Sequence, residues 1–314
     1  MVRAAHTRIA ADIVRTPVEF SAILSEMTEA RVFVKWECDQ VTGSFKFRGA
    51  LNKLRTLGPD DRGRGVISAS TGNHGLAIGR AAAIEGVALK LFLPETAAEV
   101  KKKRIEATGV AVEYFGSDCG KTEARAREEA ARAGRVFVSP YNDWDIVFGA
   151  GTAGLEIAEA VPEVDDVLVP VGGGGLIAGI AGFLKSVRPG ARTVGVEPEA
   201  SAFMAASVAA GRLVDIAERE TVADAVAGGI EPGSITFPLY RDLVGRTVVV
   251  EEEMIANAMS LLYDRHGRIV EGAGALPVAG LLTEPAGFSG RTVVLVVSGQ
   301  NIAEDRFRAV IGLD

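Results

Sequence analysis

Lys46 has surroundings unlike those of an ordinary lysine. It lies in T-G-S-F-K-F-R-G-A, residues 42–50, with Phe45 and Phe47 on either side. Lysines mostly keep their ammonium in water. Here the aromatic neighbours and the nearby Arg48 predict a partly desolvated amine. Burial and an adjacent cation both lower an amine's pKa. A neutral amine of this kind attacks a carbonyl carbon and forms a Schiff base. Taken alone, the nine residues also fit a plain helix-start lysine between two core phenylalanines.

Three further clusters carry chemistry. Gly172, Gly173, Gly174 and Gly175 stand between an apolar strand and a helix. Four glycines expose backbone N–H groups at a positive helix end, which suits a phosphate or another anion. Ser70, Thr71, Gly72, Asn73 and His74 form a second strand-to-helix turn, with hydroxyls, an amide and free N–H groups suited to a carboxylate. Simple N-capping would need only one of these side chains. Ser298-Gly299-Gln300-Asn301 is a third turn, in which the serine gains meaning only beside the other two. The glycine run admits another ligand as well. Gly173, Gly175 and Ala178 satisfy the dinucleotide fingerprint, and Glu197 falls where a ribose-binding carboxylate would stand, so a nicotinamide oxidoreductase is an alternative. A lone match of this type is weak, and it comes in mid-chain.

Other chemistries lack their residues. His6, His74 and His266 are isolated, with no zinc-type spacing. There is no G-x-S-x-G elbow and no lysine of the phosphate-loop type after the glycine run.

The elements that must position these clusters alternate along the chain. A polar helix is expected over residues 1–16 and a strand over 32–36, and the Lys46 segment runs into an amphipathic helix. Strands follow at 65–68, 87–93, 110–115 and 136–139, and helices at 76–84, 97–107 and 121–133. Residues 141–144 read as a polar loop and 149–160 as one helix. Strands at 167–171, 193–197, 247–250 and 293–297 continue the alternation, with helices after 175, 200, 251 and 271. Residues 221–238 read as irregular. Such alternation implies an α/β fold with parallel sheets covered by helices on both faces. Ligands then bind beyond the carboxyl ends of the strands, where all three turns fall.

Composition narrows the class. The chain has 314 residues, enough for about two domains. Apolar residues make up 48% and charged residues 24%, as in soluble globular proteins. The net charge of −7 argues against nucleic acid as a partner. The basic run Lys101–Arg104 reads as a solvated helix face. Two dissimilar cysteines, Cys38 and Cys119, suggest reduced thiols and a cytoplasmic setting. No signal peptide is expected. The longest apolar stretch, 167–184, holds six glycines and a proline and reads as strand, loop and helix, so no membrane association is expected.

An activated lysine, a phosphate cradle, a carboxylate turn and a terminal serine turn together suit pyridoxal phosphate. The sequence resembles the fold-type II pyridoxal-phosphate enzymes, within them the serine/threonine dehydratase and serine racemase family. R-T-P at 15–17, T-G-S-F-K-F-R-G-A at 42–50, S-T-G-N-H-G at 70–75, V-G-G-G-G-L at 171–176, E-G-A-G-A at 271–275 and S-G-Q-N at 298–301 carry the resemblance. It implies a tryptophan synthase β-like fold of two open, twisted, mainly parallel sheets flanked by helices. A small domain, residues 47–139, would be inserted in a larger one made of residues 1–46 and 140–314. It further implies that Lys46 joins the cofactor's aldehyde and later moves the substrate's α-proton, and that Phe45 packs near the ring. Asn73 would bond the phenolic oxygen, Gly172–Gly175 hold the phosphate and Ser298 face the ring nitrogen. Ser70, Thr71, Gly72 and His74 would surround the substrate carboxylate. The implied activity is a deaminating dehydratase that converts a β-hydroxy amino acid such as L-threonine or L-serine to a 2-keto acid and ammonia. A homodimer is implied as well.

The chain departs from the family pattern in places. Thr71 replaces the second serine of the racemase pattern, which weakens racemisation, although serine racemase stands as an alternative activity. Phe203 stands at the second acidic position of the family's cation site, so no metal is expected. Cys38, Gly149-Ala150-Gly151-Thr152 and Ser298-Gly299-Gln300-Asn301 also differ. These changes point to another β-hydroxy amino acid as an alternative substrate, for example 3-hydroxyaspartate or a hydroxyectoine breakdown product. No regulatory C-terminal domain, and hence no isoleucine feedback, is expected.

Overall fold

The computed structural model describes residues 1–217 and 219–313; the side chain of Cys119 lies outside what it describes. Its ten strands are β1 (Val18–Phe20), β2 (Arg31–Trp36), β3 (Val66–Ala69), β4 (Leu89–Leu93), β5 (Ala111–Tyr114), β6 (Val136–Phe137), β7 (Asp166–Pro170), β8 (Arg192–Pro198), β9 (Arg246–Val250) and β10 (Thr292–Val297) among the described residues. They form a six-stranded sheet in the order β1-β2-β10-β7-β8-β9 and a four-stranded sheet in the order β5-β4-β3-β6. Only β1 runs antiparallel to its neighbour; all other pairs are parallel. The fold is thus α/β with two mainly parallel sheets.

Burial follows from this arrangement. β7 and β10 are buried along their whole length, as central parallel strands covered on both faces must be. Helices Glu252–His266 and Gly272–Thr283 cover one face of the six-stranded sheet through Met259, Leu262, Leu276 and Leu281. Helices Thr152–Ala160 and Gly175–Val187 cover the other through Ile157, Ile177 and Ile180. The four-stranded sheet packs on helices Lys46–Thr56 and Asn73–Glu85, with Phe47, Leu51, Leu54, Ile78 and Leu91 fully buried.

The structure redraws several expected elements. The N-terminal helix spans Val2–Ile9 only. The expected helix over 149–160 is two helices, Trp144–Ala150 and Thr152–Ala160, meeting at Gly151. The first begins early because Asp143 caps it, accepting from the backbone N–H of Asp145 at 2.8 Å. It lies hard against the Lys46 helix: a Cβ on Gly149 would stand 2.6 Å from the Arg48 carbonyl oxygen. Part of the stretch expected to be irregular is helix Thr236–Leu243. Among the described residues no helix is long and apolar enough to cross a membrane.

Candidate active site

β7 and β10 are neighbours, so the turns that follow them are brought side by side. The turn after β10 also receives the Lys46 segment. Phe45 donates its backbone N–H to the Ser298 carbonyl at 3.1 Å, and Gln300 donates to the Gly43 carbonyl at 3.0 Å. Lys46 then opens helix Lys46–Thr56. Its Nζ donates to the Pro140 carbonyl at 2.9 Å and stands 5.1 Å from the Phe45 ring centre. Burial lowers its pKa to about 8, against the opposing pull of the Glu271 carboxylate. An appreciable fraction is therefore neutral near pH 7.

The expectation that Arg48 lowers the Lys46 pKa is incorrect. Arg48 is fully buried on the other side of the helix, inside a quartet with Lys35, Glu37 and Glu156. Its Nε and Nη2 donate to Glu37 at 2.7 and 2.8 Å. Nη1 and Nη2 donate to Glu156 at 2.7 and 2.9 Å. Lys35 Nζ also donates to Glu156 and to the Thr16 carbonyl. The guanidinium is thus engaged by two carboxylates, and burial alone perturbs the Lys46 amine downward.

The glycine run fits an anionic group. Gly174 has φ +84°, a conformation that favours glycine. A Cβ on Gly173 would lie 2.3 Å from the Tyr141 ring, and one on Gly172 would lie 2.9 Å from the Val226 carbonyl oxygen. Among the described residues the backbone N–H groups of Gly172–Gly175 have no acceptor. They open the helix Gly175–Val187, whose dipole adds positive potential. Free donors, the helix end and the absence of side chains make a cradle for a phosphate.

The turn after β3 faces the same space. Ser70 Oγ accepts from the Gly72 N–H at 3.2 Å. Asn73 is buried, and its Nδ2 donates to Glu271 Oε1 at 2.6 Å. His74 is 3% exposed, and its Nε2 lies 3.1 Å from Ser68 Oγ. The Ser68 hydroxyl donates to the Val138 carbonyl at 2.7 Å, so Nε2 carries the proton and donates to Ser68. Nδ1 is then a bare acceptor with no partner. Burial, and secondarily the Lys46 charge, push the His74 pKa down to about 3, so the ring is neutral.

Lys46, Ser70, Thr71, Gly72, Asn73, His74 and Gly173 line one cavity of about 290 Å³. Phe45, Gly172, Gly174, Gly175 and Ser298 line a smaller recess, which shares Lys46, Asn73 and Gly173 with it. Gly172–Gly175, Ser70–His74 and Ser298 all border one space or the other, as does Asn301, whereas Gly299 and Gln300 border neither. Glu271 and Tyr141 border both and were not foreseen as site residues. The E-G-A-G-A segment flagged Glu271, but nothing in the sequence says that it meets Asn73. Glu197, by contrast, lies elsewhere. Its oxygens accept the backbone N–H groups of Met204 and Ala205 at 2.8 Å each, so it caps a helix and is not free for a ribose.

Residues 9–299 match the family described as pyridoxal-phosphate dependent enzyme. This chain belongs to that family. Its cofactor is pyridoxal phosphate, and the glycine cradle and Lys46 fit that group. The chain is 39% identical over 288 residues to the L-threonine ammonia-lyase of Thermotoga maritima, covering 92% of this chain and 71% of that protein. It is 38% identical over 313 residues to the catabolic L-threonine dehydratase of Escherichia coli strain K12, covering 98% of this chain and 94% of that protein. The solved structure of maize serine racemase superposes with a TM-score of 0.91 at 32% identity, covering 96% of this chain and 94% of that one. The dinucleotide reading of the glycine run is thereby set aside. The two sequence relatives are an ammonia-lyase and a dehydratase by name, and this chain is a pyridoxal-phosphate-dependent lyase.

Proposed function

We propose that the enzyme is a deaminating dehydratase acting on a β-hydroxy amino acid such as L-threonine or L-serine, with a 2-keto acid and ammonia as products. The observation that carries this reading is Lys46. It is a half-buried amine whose pKa is lowered to about 8, at the wall shared by the glycine cradle and the Ser70–His74 turn. The names of the relatives support the same substrate class.

In this proposal each residue has a distinct task. Pyridoxal phosphate, when bound, supplies an aldehyde for amines and a ring that draws electrons from the substrate's α-carbon. Lys46 Nζ would be the amine that holds the aldehyde, and the same nitrogen would accept the substrate's α-proton. The N–H groups of Gly172–Gly175 bind the phosphate. Phe45 and Ser298 line the same recess, where Phe45 would pack at the ring and Ser298 would offer the ring nitrogen a neutral hydroxyl. A neutral partner at that nitrogen would draw less electron density than a protonated ring held by a carboxylate, which suits loss of a β-hydroxyl better than prolonged proton exchange at the α-carbon. Ser70, Thr71 and the Gly72 backbone orient the substrate carboxylate. His74, neutral with its pKa lowered to about 3, is too weak a base to compete with Lys46 for the proton. The division into residues 1–46 with 140–314 and residues 47–139 belongs to this proposal, since β3 to β6 all fall within 66–137.

A homodimer and a cytoplasmic setting complete the reading. An apolar hollow of about 380 Å³ among Val2, Trp144, Phe148 and Phe183 supports a self-association face, with Trp144 49% exposed. Cys38 is buried as a free thiol, its pKa pushed up to about 12, which fits a reducing compartment.

The test is a panel of L-threonine, L-serine, 3-hydroxyaspartate and related β-hydroxy amino acids. The expected outcome is 2-keto acid and ammonia in equal amounts from at least one of them. Accumulation of the opposite enantiomer with no keto acid overturns the proposal in favour of racemisation.

A further inference from the structure

A directed chain of hydrogen bonds ends in the site and leaves one of its members with no freedom. Asn301 Nδ2 donates to the Thr42 backbone carbonyl at 2.9 Å. A carbonyl can only accept, so the Asn301 nitrogen must face it. On its other side Asn301 Oδ1 accepts from Arg104 at 2.6 Å, and a guanidinium can only donate. The sense of the Asn301 amide is therefore fixed twice over. Its nitrogen also donates to Asn73 Oδ1 at 2.6 Å. Asn73 must then turn its own nitrogen the other way, where Glu271 Oε1 accepts at 2.6 Å. A flipped Asn73 amide would set nitrogen against nitrogen at one end and oxygen against a carboxylate at the other.

Glu271 is held in this place by its surroundings. It is 5% exposed, and its backbone N–H donates to the Gly299 carbonyl at 3.2 Å. A Cβ on Gly299 would stand 2.2 Å from Glu271 Oε1, so the carboxylate occupies room that only a glycine leaves. The amide nitrogen of Asn73 carries two hydrogens, and Glu271 uses one. Among the described residues the second has no acceptor, and Asn73 borders the cavity that holds Lys46.

We infer that Glu271 is a positioning residue that, together with Asn301, locks the Asn73 amide so that it always presents an N–H, never a carbonyl, to an anionic oxygen in the cavity beside Lys46. The oxygen it fits is a phenolate on an aromatic ring. The inference rests on the proposed placement of the cofactor ring beside Asn73. The lock ties the two sheets together, since Thr42 and Asn301 adjoin the six-stranded sheet while Asn73 and Arg104 adjoin the four-stranded one.

The experiment compares holoenzyme variants by equilibrium dialysis of pyridoxal phosphate and by the visible absorbance of the bound cofactor, with thermal melting as a check of folding. Glu271→Met removes the acceptor and should weaken cofactor binding about tenfold, with a shifted absorbance band. Glu271→Gln keeps an acceptor and should bind within about twofold of the parent. Asn301→Leu frees the other end and should reproduce the effect of Glu271→Met, which keeps the inference testable if one variant does not fold. An unchanged affinity and band in both Glu271→Met and Asn301→Leu overturns the lock, as does a Glu271→Gln protein as weak as Glu271→Met. Asn73→Ala separates the two layers. If it too leaves affinity and band unchanged, the placement of the cofactor beside Asn73 fails. If it alone changes them, only the lock fails.

Discussion

Lys46 and Arg48 stand two positions apart at the start of one helix, and burial does opposite things to them. Arg48 is surrounded by Glu37, Glu156 and Lys35, two anions and two cations in all, with each guanidinium nitrogen engaged. Its carboxylate neighbours raise its pKa beyond the ordinary value despite burial. The reciprocal effect holds the Glu37 carboxyl below the ordinary range, Arg48 and Lys35 together outweighing its desolvation. The Lys46 side of the helix holds Lys46, His74 and Glu271, all desolvated and none in direct ion pairing. There the neutral forms gain: about 8 for Lys46, about 3 for His74 and about 7 for Glu271. Balanced buried charge makes an anchor, whereas unbalanced burial brings Lys46 and Glu271 to exchange protons near neutral pH and keeps His74 neutral there.

The largest effect separates the two sides. Arg48→Met leaves Glu37 and Glu156 buried with one cation between them. It should cost about 3–5 kcal/mol of stability, read by urea denaturation. Lys46→Ala removes an unpaired buried amine and should leave the apoprotein within about 1 kcal/mol of the parent. It should nevertheless abolish covalent capture of the cofactor, read by borohydride reduction and mass spectrometry. If Arg48→Met melts like the parent, the quartet is no anchor. If Lys46→Ala still captures the cofactor, another amine does the work.

The same contrast marks how much was legible in the sequence. The three turns were readable because each packs its chemistry into a few consecutive residues after an apolar strand, and parallel topology puts strand ends together. The direction of Arg48 was not. Two residues on a helix point about 200° apart, so closeness to Lys46 in sequence meant separation in space. Nor could Glu271 be assigned, because Asn73 and Glu271 are 198 positions apart and only the meeting of two sheets joins them. Residues 149–160 read as one helix because the apolar pattern is continuous, whereas the break falls at Gly151, where a Cβ would stand 2.8 Å from the Gly179 carbonyl oxygen of the helix Gly175–Val187, a distant contact the local pattern does not announce.

A smaller effect probes the unbalanced side through pH. The Glu271 carboxyl titrates at about 7 in the folded chain against the ordinary value of 4.5, chiefly because it is desolvated. Below 4.5 both folded and unfolded chains hold the proton. Between 4.5 and 7 the unfolded chain releases it first, so the apoprotein loses stability as pH rises through that window, by up to about 3 kcal/mol. Glu271→Gln never ionises and should escape this loss. Melts at pH 8 should therefore favour the variant, with the difference closing towards pH 4. A difference that is constant with pH would mean that the carboxyl is already ionised in the folded chain.

The smallest effect is a shift of one midpoint, and it tests whether the two sides are electrically separate. Capture of the cofactor's aldehyde needs the neutral amine of Lys46. The capture rate, followed by absorbance after mixing apoprotein with pyridoxal phosphate, should rise with pH and level off above a midpoint near 8. An ordinary lysine would keep the rate rising past pH 10. Because the Glu271 charge pulls the Lys46 pKa upward, Glu271→Gln should move this midpoint below that of the parent. Arg48→Lys keeps a cation in the quartet and should leave the midpoint where it is, since Arg48 is not among the charges that act on Lys46. If Arg48→Lys shifts the midpoint as far as Glu271→Gln does, the helix is no barrier, and the quartet and the site are one electrostatic unit.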